Sequence, residues 1–362
     1  MTFDEARAQY TVLAHTAYLN AGSNGPLAQA TIEAVVASQR ADLERGRSGG
    51  EYVERLHELR ERVRQQLAAL LGVGADAVAL TASTTNGCHA VLAGLELSPE
   101  DEIVTTDEEH FGLLGPVHAS GARIRVARTR DFPVSRALGS ILAEVGPRTR
   151  LLALSHVSWM TGNVLPVEEL KRETALPILV DGAQSAGAVP VDASIFDFYT
   201  VSAQKWLCGP DSTGALVVAD PERLRVAAPS YSSQQRYSED GSFEPRPGAR
   251  RFDFGYVSTA SLAGLEAALF AAPPWRFERA REAAERCRAR LADRVEVVTD
   301  PGQATLVTFR PAEDAATLVA RLYEQGVVVR AIPGTGWIRA SCGYWTSDED
   351  IDRLLAGLDR AS

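Results

Sequence analysis

Cysteine is scarce in this sequence and never paired. Cys88, Cys208, Cys287 and Cys342 are the only four among 362 residues. No two of them form a CxxC pair, and no cysteine–histidine cluster has zinc spacing, which argues against a disulfide framework or a zinc module. Reduced thiols in a cytoplasmic protein are the expectation. Long apolar runs are also missing: none approaches the roughly 18 residues that a membrane-spanning helix requires. The N-terminal stretch MTFDEARAQY is polar and acidic, unlike a secretory signal. Nor is there a basic excess. The formal net charge is −10, which argues against nucleic acid as the main partner, since phosphate contacts need basic clusters. No internal repeat at solenoid periods is found.

What is present is an ordinary globular composition, 45% hydrophobic and 23% charged, in a chain long enough for one large domain or two. Residues 53 to 71 carry Val53, Leu56, Val63, Leu67 and Leu70 near helical spacing, closed by Gly72. Short apolar runs follow near 77, 102, 123, 151, 177, 198 and 214, separated by helical or turn-rich segments. Several lack strict alternation, as strands covered on both faces do. The pattern predicts an α/β sheet sandwiched by helices. The segment 229–251 is rich in Ser, Gln, Gly and Pro and reads as a long loop, of a length that is usually functional or mobile. A helix from about 261 leads to a smaller α+β unit, with helices near 276–293 and 313–325 and short strands near 295, 305, 327 and 337. A last helix is opened by Ser347 and Asp350 as a capping box. The expected division is a large domain over 16–257, with 1–15 and 258–362 forming the small one.

Chemistry-bearing residues gather at the carboxyl ends of these strands, where open α/β sheets bind ligands. Asp181 ends the run PILVD, with Gln184 three residues on. Ser202 ends FYTVS, and Lys205 comes three residues later in SAQKWLCGP. Thr84 and Thr85 stand at the predicted start of a helix, and His110 follows the run EIVTTD. A lysine amine, a carboxylate, hydroxyls at a helix N-terminus and an imidazole are the set that pyridoxal phosphate needs. The amine forms a Schiff base, the carboxylate holds the pyridine proton, the helix N-terminus takes the phosphate, and a ring stacks on the face.

The sequence DGAQSAGAVPVD…SAQKWLCGP resembles the cofactor signature of class V aminotransferases, pyridoxal-phosphate fold type I. Similarity runs from YLNAGSNGP at 18–26 to WIRASCGYWTSDEDIDRL at 337–354. The resemblance implies a large domain with a mostly parallel sheet covered by helices, and a smaller C-terminal α+β domain. It implies that Lys205 is the Schiff-base lysine, that Asp181 pairs with the pyridine nitrogen, and that Gln184 bonds the phenolic oxygen. Thr84, Thr85, Ser202 and Gln204 fall at phosphate-binding positions, although Gln204 stands where many relatives have a histidine. His110 would stack on the ring. Arg339, in IRAS, matches the arginine for the substrate α-carboxylate, with Asn20 also on the substrate side. Tyr256 falls where relatives often have a Thr or Ser that reaches the phosphate of a neighbouring subunit, and Arg251 lies near it. The family is generally a homodimer with shared active sites. Tyr231, Gln234 and Gln235 are the loop residues expected to shape substrate entry.

Two departures bear on the reaction. Trp159, in HVSWMTG, stands where cysteine-desulfurase relatives have an asparagine that contacts the phenolic oxygen. The segment GVVVRAIPGTGW, 326–337, lacks the cysteine that those desulfurases carry as nucleophile. The expectation is an enzyme acting at Cα or Cβ of an amino acid: a carbon–sulfur lyase by β-elimination, or an isopenicillin-N-epimerase-like epimerase. A class V aminotransferase is the alternative, with Arg330 as a possible second carboxylate arginine, and a non-catalytic cofactor-binding relative is a remote one. No metal is expected.

Overall fold

The computed structural model describes residues 1–359. A two-residue strand, β1 (Ala17–Tyr18), comes first. The main sheet is then built from β2 (Val78–Thr81), β3 (Glu102–Thr106), β4 (Arg123–Ala127), β5 (Thr149–Ser155), β6 (Ile178–Asp181), β7 (Phe198–Ser202) and β8 (Gly214–Val218), in the spatial order β2-β8-β7-β6-β5-β3-β4. All neighbours are parallel except β8, which runs antiparallel to both β2 and β7. Every residue of β2, β3, β6, β7 and β8 is buried, which explains the unbroken apolar runs. The edge strand β4 is largely exposed and carries Arg123 and Arg125.

Alternate side chains feed two cores. Leu80, Val104, Leu152, Leu154, Val180 and Val201 meet Leu59, Val63, Leu67 and Leu71 of the helix Gly49–Leu71. Ala79, Ile103, Leu151, Ala153, Leu179 and Leu216 meet Val91 and Leu92 of the helix Thr84–Gly94, and Leu113 and Val117 of the helix Phe111–Ala119. The period-two alternation of a strand thus sorts one apolar run onto both helical layers.

The 229–251 segment is not simply a loop. It folds a hairpin from β9 (Gln234–Tyr237) and β10 (Phe243–Pro245), whose polar, exposed residues gave no apolar strand signal. Beyond it, β11 (Glu296–Val297), β12 (Leu306–Arg310), β14 (Arg330–Ile332) and β15 (Trp337–Ser341) form an antiparallel sheet in the order β11-β12-β15-β14, while β13 (Val327–Val328) pairs with β1. Helices Arg276–Ala292, Ala315–Glu324 and Asp348–Asp359 cover this sheet, and Ala17 and Leu19 join the same core. The capping box forms as expected: the Asp350 amide donates to the Ser347 hydroxyl at 3.2 Å, and the Ser347 amide donates to Asp350 at 2.9 Å.

One buried ion cluster ties the long helix to the segment that follows the hairpin. Asp253, 4% exposed, accepts from Arg60 at 3.0 Å, from Arg64 at 2.9 Å and from the Leu80 amide at 2.8 Å. Removing the carboxylate would take the buried counter-charge from both guanidinium groups and leave Arg64 only the partly exposed Glu61, at 3.2 Å. Asp253→Ala is expected to lose about 3–5 kcal/mol of stability in urea unfolding. A loss below about 1 kcal/mol, the size of a surface effect, would show that the cluster is not structural.

Candidate active site

The carboxyl ends of β5, β6 and β7 close around a cavity of about 140 Å³ lined by Thr84, Thr85, His110, Ser155, Trp159, Asp181, Gln184, Ser202, Gln204 and Lys205, with Ser83, Val157 and Ala183. Nine of the residues singled out in the sequence therefore meet in one place. Ser83 caps the helix Thr84–Gly94 by accepting from the Asn86 amide at 3.2 Å. The Thr84 amide donates to the Ser202 hydroxyl at 3.0 Å, so two hydroxyls stand at the positive end of that helix. His110 caps the next helix: its Nδ1 accepts from the Gly112 amide at 3.0 Å, which puts the imidazole proton on Nε2. Trp159 meets His110 edge-on, with ring centroids 5.1 Å apart.

The charges are arranged as a buried pair, Asp181 and Lys205, acted on by two arginines, Arg330 and Arg339. Asp181 is 3% exposed, and its Oδ1 accepts from the Ala183 amide at 2.9 Å. Burial pushes its carboxyl up, against the pull of Lys205. Burial pushes the Lys205 ammonium down to about 8; Asp181 opposes this, and Arg339 and Arg330 add to it. Burial, with Lys205, Arg330 and Arg339, holds His110 down to about 4, so the imidazole is neutral across the ordinary working range.

Segment 20–25 closes the cavity. Gly25 donates its amide to the Gln204 carbonyl at 2.8 Å, and any Cβ there would run into the Lys205 carbonyl. The Gln184 amide is held between Gly22, whose carbonyl accepts its Nε2 at 2.8 Å, and Trp206, whose indole donates to its Oε1 at 3.0 Å. One N–H of Gln184 remains for a ligand. Asn20 accepts from the Ser23 hydroxyl at 2.9 Å, and that same hydroxyl meets Arg330 at 3.3 Å and Arg339 at 3.5 Å. Arg330 and Arg339 are directly paired across β14 and β15.

Arg339 is 1% exposed, and it donates to the Trp159 carbonyl at 2.8 Å and, more weakly, to the Ser23 hydroxyl at 3.5 Å. Among the described residues no carboxylate pairs with it and its buried Nε has no partner; burial, followed by Arg330, pushes it down to about 9. The loop that supplies the Trp159 carbonyl is clamped by Glu108, which accepts from Ser158 at 2.5 Å and Thr161 at 2.6 Å. Sequence reasoning noted Glu109 only as the neighbour of His110 and gave neither it nor Glu108 a role. Two glutamates before a histidine look like a solvated turn, and only the fold turns both inward, to 2% and 5% exposure.

Tyr256, the loop residues Tyr231, Gln234 and Gln235, and Arg251 lie outside this cavity. Tyr256 is 77% exposed and is outside the cavity of its own chain. With Tyr231, Gln234 and Gln235 it lines a separate groove along the helix Gly49–Leu71. Arg251 is bound to Glu222 and to the Arg246 carbonyl. All four cysteines are buried and none lines the cavity; burial pushes the Cys208 thiol up to about 12. Among the described residues, no cluster could hold a metal ion, and no helix is long and apolar enough to cross a membrane.

The donor set fits pyridoxal phosphate. Hydroxyls and amides at a helix start suit its phosphate, Lys205 its aldehyde and Asp181 its ring nitrogen, while the buried, unpartnered Gln204 Oε1 and Trp159 Nε1 leave polar capacity at the cavity wall. Gly22→Ala would set a Cβ 2.7 Å from Arg339 Nη2 and displace the guanidinium. The variant is expected to need roughly tenfold more amino acid for half-saturation of a cofactor spectral change, with the cofactor itself still bound. Unchanged half-saturation would mean that Arg339 does not need its present place.

Residues 17–354 match the family model for class-V aminotransferases. The chain is 30% identical to an isopenicillin N epimerase of Streptomyces clavuligerus, over 99% of this chain and 98% of that protein. It is 29% identical to a cysteine desulfurase of Klebsiella pneumoniae, over 83% and 82% of the two chains. The solved structure of the cystine C-S lyase C-DES with cysteine persulfide superposes with a TM-score of 0.87, at 30% identity, over 97% of this chain and 99% of that one.

Proposed function

Because the chain belongs to the class-V aminotransferase family, pyridoxal-phosphate enzymes of fold type I, we propose that it is a carbon–sulfur lyase that eliminates a thiol from a cysteine-derived amino acid. The observation that carries the substrate class is Arg339, a buried cation without a carboxylate partner, with Arg330 beside it. Such a pair calls for an anionic substrate, with its α-carboxylate on Arg339 and a second acidic group within reach of Arg330. What favours lyase chemistry is the state of the thiols. A desulfurase needs a reactive protein thiolate, and here every cysteine is buried away from the cavity. Elimination needs none, because the Cβ–S electron pair leaves with the substrate's own sulfur.

Pyridoxal phosphate, when bound, supplies an electron sink for negative charge developing at the substrate Cα. Thr84, Thr85, Ser202 and Gln204 would hold its phosphate, and Lys205 would hold its aldehyde carbon. Asp181 would keep the proton on the ring nitrogen, and His110 with Trp159 would cover the ring. Arg339, with Asn20 placing Ser23, orients the substrate so that its Cα–H faces Lys205. Lys205 Nζ, with its ammonium pushed down to about 8, gives up its proton far more readily than a surface lysine, so the neutral amine that can take the Cα proton is a minor form at pH 7 and the main form only above about 8.

We further read the enzyme as a homodimer. Tyr256, Tyr231 and Phe254 are exposed aromatics on one segment, outside their own cavity, and a second copy would bury them and bring Tyr256 to its phosphate. Unpaired thiols suit the cytoplasm. A second reading, Cα epimerisation, is favoured by the near full-length similarity to isopenicillin N epimerase.

Lys205→Ala is expected to lose both borohydride fixation of the cofactor and turnover; fixation that persists would remove Lys205 from its role. The reaction itself is tested with an S-substituted cysteine and no ketoacid. Elimination predicts thiol, ammonia and pyruvate over many turnovers. Inversion at Cα with deuterium uptake and no thiol would select the epimerase. Stoichiometric conversion to pyridoxamine phosphate, rescued by ketoacid, would mean transamination and overturn both.

A further inference from the structure

A second carboxyl lies beneath the cavity, and the mechanism above does not use it. Glu109 follows the end of β3 and precedes His110. Its Oε1 accepts from the Thr106 hydroxyl at 2.8 Å. Its Oε2 accepts from both the amide of Ser155, at 2.9 Å, and the hydroxyl of Ser155, at 2.5 Å. Ser155 is the last residue of β5, lines the cavity, and stands in register with Asp181 on β6. Adjacent strands are about 4.8 Å apart, so Glu109 touches the immediate neighbour of the carboxylate that faces the cofactor ring. No cation pairs with Glu109 among the described residues.

We propose that Glu109 is a proton-operated positioning residue beneath the cofactor, acting through the Ser155 hydroxyl and the neighbouring Asp181. The proposal rests on reading the cavity as the pyridoxal-phosphate site. When Glu109 is ionised, it can only accept, and the Ser155 O–H points down at it. The added negative charge also makes Asp181 hold the ring proton more firmly. When Glu109 is protonated, it donates to Ser155, and the Ser155 O–H turns free to serve the cavity.

The groups around Glu109 allow this change near neutrality. Burial pushes its carboxyl up to about 7; the Ser155 and Thr106 hydroxyls and the Ser155 amide oppose that rise, and Asp181 adds to it. From the helix Thr84–Gly94 it faces Cys88, whose thiol burial keeps protonated; His110, next in sequence, is held neutral. The sign follows: the folded protein holds a proton on Glu109 that the unfolded chain has already released, so the protonated state prevails below about pH 7 and the ionised state above it.

The test is a pH titration of the visible absorbance of holoenzyme reconstituted with pyridoxal phosphate, without substrate. Wild type is expected to show a step centred near 7, separate from any change belonging to Lys205. Glu109→Gln, locked neutral at nearly constant shape, is expected to lose that step and keep the other. Ser155→Ala removes one hydrogen bond to the ionised form, so its step should persist with the midpoint raised by roughly half a unit or more. A neutral step that survives in Glu109→Gln, or a midpoint unmoved in Ser155→Ala, overturns the assignment while the cofactor reading stands. A wild-type protein that takes up no pyridoxal phosphate overturns both.

Discussion

A guanidinium taken fully out of water must be satisfied or it destabilises the fold, and Arg339 is satisfied only by neutral oxygens. Much of the site can be traced to that constraint. β15 carries Arg339 into the core of the smaller sheet, with Arg330 directly opposite on β14. The Trp159 carbonyl that receives it sits on a loop held by the buried Glu108. Gly22 lies so close that a side chain would strike the guanidinium, and the same glycine's carbonyl anchors Gln184. The charge left over is the structural reason to expect an anionic amino acid between the two sheets.

The remaining charges grade across the cavity in an order that suits proton removal at carbon. Asp181 and Lys205 are an opposite pair under burial, each moving the other toward its charged form. The cations at the far side push the other way on Lys205, so its amine lies nearer to neutrality than a surface lysine. His110 is kept neutral and so can lie against a ring without competing for its proton. Glu109 sits under this arrangement, one residue removed from Asp181 by way of Ser155.

The legible parts of the sequence were those with local causes. Buried strands announced themselves as unbroken apolar runs, and the residues just after Asp181 and Ser202 had to lie at one sheet edge because parallel strands end together. Lys205, Asp181, Ser202, Thr84, Thr85 and His110 were placed on that argument, and the structure brings them together. The polar hairpin Gln234–Pro245 gave no period to read, since its faces are both wet. The roles of Glu108 and Glu109 could not be read because their burial depends on β5 and the loop after it, some 46 to 53 residues further along. The place of Gly22 was equally hidden, because a glycine's reason is the atom it must not touch, here on β15.

The central claim, that the buried Arg339 is the seat of the substrate carboxylate, is tested most directly by comparing an amino acid with its carboxamide. Dissociation constants for both, read from the cofactor spectrum, would be measured in wild type and in Arg339→Gln. The account predicts that wild type prefers the carboxylate by roughly ten- to a hundredfold, the worth of a charged hydrogen bond, and that the variant binds the two alike. A variant that keeps the full preference would contradict it.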